Sequence, residues 1–218
     1  MIYTDRWAFC HIPKTSGSNF KKSSWDKCMP SRLQIEHIKY PDTYYLYEHQ
    51  PISYWVKSGI IPEEYQWITI VRNPYSWLVS WYYSLSQTTI DSGTGKPLVN
   101  EDPQSAVYHA KHLTFSEFIN KDILGAFGER IRWAKFKEEG GLWKPGWTQS
   151  KFLEGDHNIK IFHIEDLSEL EDFAGFKFAH IRHNESFHDP WEDHYTKETR
   201  DIVYERYRED FENFGYDR

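Results

Sequence analysis

Residues 9–20, which read FCHIPKTSGSNF, decide the fold. The apolar start is typical of a buried strand, the Pro-Lys-Thr-Ser-Gly-Ser run is typical of a turn, and the residues after it are compatible with a helix. A strand that leads through a small-residue turn into a helix leaves backbone N–H groups available to hold a phosphate. Lys14 adds a positive charge at the same place. This stretch therefore predicts a site for a phosphate-bearing ligand.

Length and charge restrict the class of protein. The chain has 218 residues, a length that fits one domain over 1–218, with 26 basic and 33 acidic side chains and a formal charge of −7. This balance argues against general nucleic-acid binding. No apolar run approaches the ~20 residues that a membrane helix needs, and the start lacks a signal-peptide pattern. The chain as given is thus expected to be cytoplasmic and without membrane contact, although a truncated form of an anchored protein would read the same way.

Two cysteines and many aromatic residues complete this picture. Cys10 and Cys28 are too few for a disulfide framework and are expected to be reduced thiols. Aromatic residues make up 18% of the chain, which suits a wide binding cleft as well as a core.

Strands and helices are predicted to alternate along the chain. The apolar and β-branched runs predict strands at 6–12, 43–48, 66–72 and 158–164. Helices are predicted at 17–27, at 74–86 after an Asn73 cap, after the capping box that begins at Thr114, and as one amphipathic closing helix that presents Val203, Tyr207, Phe211 and Phe214. Residues 88–103 are predicted to form a surface loop. The alternation predicts an α/β fold, a three-layer P-loop-like domain with a central mainly parallel sheet flanked by helices.

Three polar residues follow the predicted ends of three strands. They are Lys14, His49 and Arg72. Ligands of parallel sheets gather beyond the carboxyl ends of the strands, so these side chains are expected at one edge of the sheet. Taken alone, Lys14 could be a surface lysine, and Arg72 could cap a carbonyl or pair with a glutamate. Their combination favours a site for an anion.

The turn at Lys14 differs from the common nucleotide-binding loop. That loop has a Gly, four residues and then Gly-Lys-Ser/Thr, whereas here the Lys comes three residues before Gly17. The strand that ends at Arg72 also lacks the terminal Asp that helps to hold Mg²⁺ in many P-loop enzymes. Both differences argue against an ATPase or a kinase.

These motifs resemble those of the sulfotransferases that use 3′-phosphoadenosine-5′-phosphosulfate (PAPS). Residues 13–20 are similar to the pattern Pro-Lys-Thr-Gly-Gly-Thr-Ser-Phe, and residues 72–80 are similar to Arg-Asp-Pro followed by an Arg and a Ser. The tail, from Tyr-Thr at 195–196 to Phe-Gly-Tyr at 214–216, is similar to that of carbohydrate O-sulfotransferases of the heparan-sulfate 2-O and 6-O type. The likeness is poor between about 88 and 145, where acceptor specificity is expected to lie.

The resemblance implies the cofactor and the residues that hold it. The cofactor would be PAPS, its product adenosine 3′,5′-bisphosphate, and no metal would take part. The candidates for the 5′-phosphosulfate are in the loop: Lys14, Thr15, Ser16, Gly17, Ser18 and Asn19. Arg72 and Ser80 would hold the 3′-phosphate, and Arg182 and Asn184 are candidates in a loop over the adenine and the 3′-phosphate. Two positions depart from the pattern, since Ser16 replaces a Gly and Trp77 replaces an Arg.

The candidate base is His49. In the resembling enzymes a His after the second strand removes the proton of the acceptor hydroxyl, and a neutral imidazole suits that work near neutral pH. Glu48 is the alternative, because a carboxylate base occurs in other branches of the family. Strand alternation would place the two side chains on opposite faces. Lys14 would stand at the leaving phosphate.

The acceptor and two rival functions stay open at this point. A partner with a hydroxyl, on a neutral or lightly charged glycan or on a small molecule, fits the acidic charge better than a polyanion does. The rivals are a small-molecule or nucleotide kinase with a variant phosphate loop, and a non-catalytic binding module in which His49 is dispensable. The His and Asp residues at 183–194 match no closed zinc pattern.

Overall fold

A computed structural model describes most of the chain. The described residues are 2–4, 6–27, 49–57, 59, 61–62, 64–88, 103, 105–127, 146–178 and 188–218. The chain forms two compact units, one of residues 1–72 and 149–184 and the other of residues 73–148 and 185–218. The expectation of a single domain over 1–218 stays a prediction.

The first unit contains a four-stranded sheet in the order β1-β2-β3-β4. The strands are β1 (Ile2–Tyr3), β2 (Ala8–Cys10), β3 (Trp67–Val71) and β4 (Ile159–His163). β2, β3 and β4 are parallel, with Cys10 opposite Thr69 and Val71 opposite His163, whereas β1 is antiparallel to β2. All residues of β2 and β3 are buried, as expected for central parallel strands. The carboxyl ends of three strands thus share one edge.

The helices are short and lie between and after the strands in the sequence. They are α1 (Gly17–Lys27), α2 (Ile52–Lys57), α3 (Pro74–Ser86), α4 (Ala106–His112), α5 (Phe115–Asn120), α6 (Ile123–Phe127), α7 (Ser168–Ala174), α8 (Lys197–Arg206) and α9 (Arg208–Phe214). Among the described residues, no helix is long and apolar enough to cross a membrane. The parallel strands and the helices make an α/β fold, which confirms the predicted fold class.

The core of the first unit joins the sheet to α1 and α7. Phe20 of α1 is fully buried, and its ring centroid is 4.4 Å from that of Phe9 in β2 and 5.8 Å from that of Trp7. Ile68 and Leu170 belong to the same buried cluster. Because α1 is packed on the sheet, the turn that connects β2 to α1 is held at both ends.

The second unit is helical and aromatic. The Tyr75 ring of α3 stacks on Trp191 at 5.3 Å, and Tyr82 meets Phe118 of α5 edge-on at 5.3 Å. The predicted Asn73 cap is present, since its side chain accepts a hydrogen bond from the Tyr75 backbone N–H. The predicted capping box of α5 is present as well.

The predicted bounds of α1 and α3 are confirmed, the strand predicted at 6–12 is shorter, and α2, α4, α6 and α7 are absent from the prediction. β1 is absent from the prediction, because two residues are too few to show a strand period. The closing helix is divided into α8 and α9, since Tyr207 has φ −113° and ψ 23° and interrupts the helical backbone. The helical spacing survives the break, and Val203, Tyr207, Phe211 and Phe214 are all buried. The predicted strand at 43–48 and most of the predicted loop at 88–103 lie outside the described residues.

Candidate functional site

The turn between β2 and α1 has an unusual backbone. Lys14 has φ 64° and Ser16 has φ 67°, both in the left-handed region. Such angles in residues other than glycine cost free energy and concentrate at functional sites. The Thr15 hydroxyl, which is buried, donates to the carbonyl of Ile12 at 2.9 Å and closes the turn from within. Left-handed residues that alternate with ordinary ones make a concave backbone of the kind that binds anions.

Helix α1 begins directly after this turn. The backbone N–H groups of Asn19 and Phe20 donate to the Ser16 carbonyl at 3.0 and 3.1 Å. In general the N–H groups of a first helical turn have no intrahelical acceptor, and they carry the positive end of the helix dipole. Gly17 and Ser18 occupy these positions of α1. The turn and the helix start therefore form one surface that favours negative charge.

His11 lies beneath this surface. Its ring is buried, and its Cδ2 lies 2.0 Å from the point where a Cβ on Gly17 would be. Burial, and then the charges of His49 and Lys21, lower the pKa of His11 well below its usual value. His11 is thus neutral at neutral pH, and its ring packs against Gly17 at the start of α1.

His49 is placed against His11. Its Nδ1 lies 2.9 Å from the backbone carbonyl oxygen of His11, and the two ring centroids are 4.2 Å apart. A carbonyl oxygen only accepts, so the Nδ1 of His49 carries the hydrogen and donates it. In the neutral ring this leaves Nε2 with its lone pair. The arrangement holds His49 in the tautomer in which Nε2 can accept a proton.

Lys14 and Arg72 meet at the carboxyl edge of the sheet. The Arg72 guanidinium, one residue past β3, donates from Nη1 to the carbonyl of Lys14 at 3.4 Å. Burial, and then the nearby charge of Arg72, lower the pKa of Lys14 to about 8. Two cations that lie close together and are partly shielded from solvent repel each other, and an anion bound between them relieves this repulsion.

Gln149 contacts Arg72 from a distant part of the sequence. Its Oε1 accepts from the Arg72 backbone N–H at 2.9 Å, and its Nε2 donates to the Arg72 carbonyl at 2.7 Å. Gln149 is fully buried and precedes a 3₁₀ turn over Ser150–Leu153. From the sequence alone, residues 149–150 open a helix-like segment that is expected either to border the cleft or to form a simple surface turn.

The remaining candidates divide into two groups. Ser80 lies in α3 of the second unit and is buried, and its proposed role stays a prediction. Glu48, Arg182 and Asn184 lie outside the described residues. Within the described part of the chain, no group of three His, Cys, Asp or Glu side chains could hold a metal ion.

Sequence reasoning missed His11 as a part of this site and gave Gln149 no partner. His11 stands in the opening motif, but only the contact of its ring with Gly17 and of its carbonyl with His49 gives it a place there. Gln149 carries no local motif that indicates its partner, which is 77 residues away. Only contacts between residues that are distant in the sequence reveal the roles of both.

Comparison with known proteins identifies the family. The model described as "Sulfotransferase family" matches residues 2–217, almost the whole chain. The chain therefore belongs to the sulfotransferase family, whose members transfer a sulfuryl group to an acceptor. No curated protein and no solved structure matches it.

Proposed function

We propose that this protein transfers the sulfuryl group of PAPS to a hydroxyl of an acceptor, and that this acceptor is a carbohydrate. Two observations carry the proposal: Arg72 contacts the carbonyl of Lys14, which holds two cations together, and the Nδ1 of His49 is bound to a backbone carbonyl. One group of residues suits an anionic donor, and the other suits the removal of a proton. Membership of the sulfotransferase family supports the same combination.

The turn from Lys14 to Asn19 is proposed to hold the 5′-phosphosulfate. Its backbone is concave because Lys14 and Ser16 are left-handed, and it leads into the N-terminus of α1. Both features bind phosphate oxygens through N–H groups. Ser18 supplies a hydroxyl at the second residue of α1.

Lys14 is proposed to stabilise the leaving group. The donor supplies a sulfuryl group, and when the bond from sulfur to the 5′-phosphate oxygen breaks, the electron pair stays on that oxygen. A cation at this oxygen is worth most where water is excluded. Lys14 is sufficiently buried for its pKa to fall to about 8, and an added anion would favour its charged form.

His49 is proposed to act as the base. As the acceptor oxygen bonds to sulfur, the proton of the acceptor hydroxyl passes to Nε2 of His49, which is the ring nitrogen opposite the one bound to the His11 carbonyl. Since His11 stays neutral, it adds no repulsion when His49 becomes charged. Glu48 remains the alternative base.

Arg72, together with Ser80, is proposed to bind the 3′-phosphate that distinguishes this donor from ATP. A guanidinium binds phosphate through two parallel N–H groups. Arg182 and Asn184 are proposed to lie near the adenine and the 3′-phosphate. The proposal includes no metal, because Lys14 is proposed to lie at the 5′-phosphosulfate and Arg72 at the 3′-phosphate.

The acceptor is proposed to be a neutral or lightly charged glycan. The formal charge of −7 disfavours a polyanion, and the abundant aromatic rings suit sugar faces. The likeness to the heparan-sulfate 2-O and 6-O type supports a carbohydrate hydroxyl.

Ligand-dependent unfolding tests the proposal. Thermal stability is measured with adenosine 3′,5′-bisphosphate, with ATP, and with ATP and Mg²⁺. A ligand at 100 times its Kd stabilises by about 2.7 kcal/mol, so we expect a clear shift with the bisphosphate in the absence of metal. If ATP with Mg²⁺ stabilises the protein and the bisphosphate does not, the result would favour a kinase instead.

Transfer is measured next, as labelled sulfate moved from PAPS to a panel of neutral and acidic glycans. One outcome would overturn the catalytic proposal and support a binding module. The protein would bind the bisphosphate but transfer sulfate neither to a glycan nor to solvent, and His49→Ala would bind the bisphosphate equally well.

A further inference from the structure

Gln149 completes the hydrogen bonding of β3 beyond the end of the sheet. The paired residues of β3 and β4 end at Val71 and His163, and the Val71 carbonyl accepts from the Ile164 N–H at 2.9 Å. Arg72 is the next residue. Its N–H and its carbonyl are both bound by the side chain of Gln149, at 2.9 and 2.7 Å.

A carboxamide is suited to this contact. It has a donor and an acceptor on one planar group, as the backbone of a neighbouring strand has. Both distances are within the normal range for hydrogen bonds. Gln149 is fully buried, so water does not compete for these groups. The Arg72 backbone is therefore bound at both of its polar groups, as a residue inside the sheet is.

Gln149 is itself anchored to the same unit. The backbone N–H of Phe152 donates to the Gln149 carbonyl at 3.1 Å, and Phe152 is fully buried. The Cys10 thiol of β2 lies 3.9 Å from the carbonyl oxygen of Phe152. Gln149 is thus fixed relative to the packed sheet, and it fixes the backbone of Arg72 in turn.

We infer that Gln149 is a positioning residue that fixes Arg72 for recognition of the 3′-phosphate of the donor nucleotide. The inference rests on the proposed function, in which Arg72 is the ligand of that phosphate. Gln149 acts through Arg72 and does not touch the nucleotide. A loose Arg72 can still attract an anion, but it no longer presents both N–H groups in one orientation. Loss of Gln149 therefore reduces the preference for a nucleotide with a 3′-phosphate over one without it.

The test compares two nucleotides in four proteins. Calorimetry measures the Kd of adenosine 3′,5′-bisphosphate and of adenosine 5′-monophosphate for the unaltered chain, Gln149→Met, Arg72→Ala and the double variant. We expect Gln149→Met to weaken the bisphosphate about tenfold, the size of one lost oriented charge-assisted contact, and the monophosphate less than about threefold. The double variant should match Arg72→Ala, because Gln149 acts through Arg72.

Gln66→Met is the matched control. Gln66 also binds backbone carbonyls through its side-chain amide, those of Trp67 and Asn158 at 3.0 and 3.1 Å, but at the amino end of β3. It should lower thermal stability and leave the ratio of the two Kd values unchanged. If Gln149→Met does not fold, Gln149→Asn takes its place, because its side chain is one methylene shorter and withdraws the same amide from the Arg72 backbone.

Three results are decisive. Equal weakening of both nucleotides by the Gln149 variant, or none, overturns the positioning role. Additive losses in the double variant overturn action through Arg72. A lack of preference for the bisphosphate in the unaltered chain refutes the proposed donor itself, and this outcome is seen before any variant is compared.

Discussion

The imidazole of His11 occupies the space that a Cβ on Gly17 would need, with His11 Cδ2 only 2.0 Å from that point. The ring cannot move aside easily, because it packs against His49 at 4.2 Å and against Phe9 at 5.7 Å between centroids. Gly17 is thus required by a tertiary contact and not only by the turn. The start of α1, the loop and the candidate base are joined through one buried ring.

We expect Gly17→Ala to destabilise the protein by about 1–3 kcal/mol, as is usual when atoms are forced into a packed place. In a helix without this contact the same change would be favourable. The free energy of unfolding in urea measures the effect. In a His11→Ala background the loss should largely disappear, and an equal loss in both backgrounds would contradict the contact.

His49→Ala should reduce transfer by about 10²–10⁴-fold, the usual contribution of a general base. The Kd of adenosine 3′,5′-bisphosphate should change little, since the loop and Arg72 are unaltered. Nitrogen-15 spectra of the unaltered chain should show the hydrogen of His49 on Nδ1, as its bond to the His11 carbonyl requires. A hydrogen on Nε2 would contradict this tautomer. Loss of transfer in Glu48→Gln, with none in His49→Ala, would move the base to Glu48.

Binding of the bisphosphate should weaken as pH rises through about 8, because burial and Arg72 lower the pKa of Lys14 to about 8 in the free protein. A bound anion raises this pKa, so protonated Lys14 binds more tightly, and Kd should rise about tenfold per pH unit above 8 until the pKa in the complex is reached. Phosphate, with a second pKa near 6, keeps its charge in this range. Calorimetry across pH measures the slope.

The matched variant for this prediction is Lys14→Arg, whose side chain stays charged throughout. Its affinity should lose the pH dependence above 8. For folding the sign is opposite: the unfolded chain keeps the Lys14 proton up to its usual pKa, so the penalty for charged Lys14 is present below about 8, and stability increases as pH rises above 8 and removes it. A pH slope shared by both proteins would contradict the assignment to Lys14.

Ser16→Gly should raise the free energy of unfolding by up to about 1 kcal/mol, because Ser16 has φ 67° and glycine adopts this angle without strain. Ser18→Gly, two residues later and inside α1, should have the opposite sign and lower stability by about 1 kcal/mol. Urea unfolding of both variants gives the comparison. Changes of the same sign would show that Ser16 is not strained.

Much of the fold could be predicted because its signals are local. The run at Trp67–Val71 is apolar and β-branched, and it is a fully buried strand. Asn73 caps α3 and Thr114 caps α5 because each side chain reaches an N–H two or three residues further along. The break of the closing helix at Tyr207 could not be predicted, since the apolar spacing continues across it and Tyr207 is itself buried.

The candidate site is divided in the same way. The residue types of the loop and the order of Lys14 before Gly17 are properties of the sequence, and they already indicate an anion and distinguish this loop from the common nucleotide loop. The state of each group depends on neighbours that are far away along the chain. His49 and His11 are 38 residues apart, and Arg72 and Lys14 are 58 residues apart.

The sequence alone thus determined the three parallel strands, the caps of α3 and α5 and the chemistry of the loop, because backbone propensity and side-chain type act within a few residues. Only the tertiary structure decided the tautomer of His49, the lowered pKa of Lys14 and the contact of Gln149 with Arg72. The physical reason is that burial and electrostatic interaction depend on distance in space. Folding brings together groups whose separation in the sequence carries no signal of their contact.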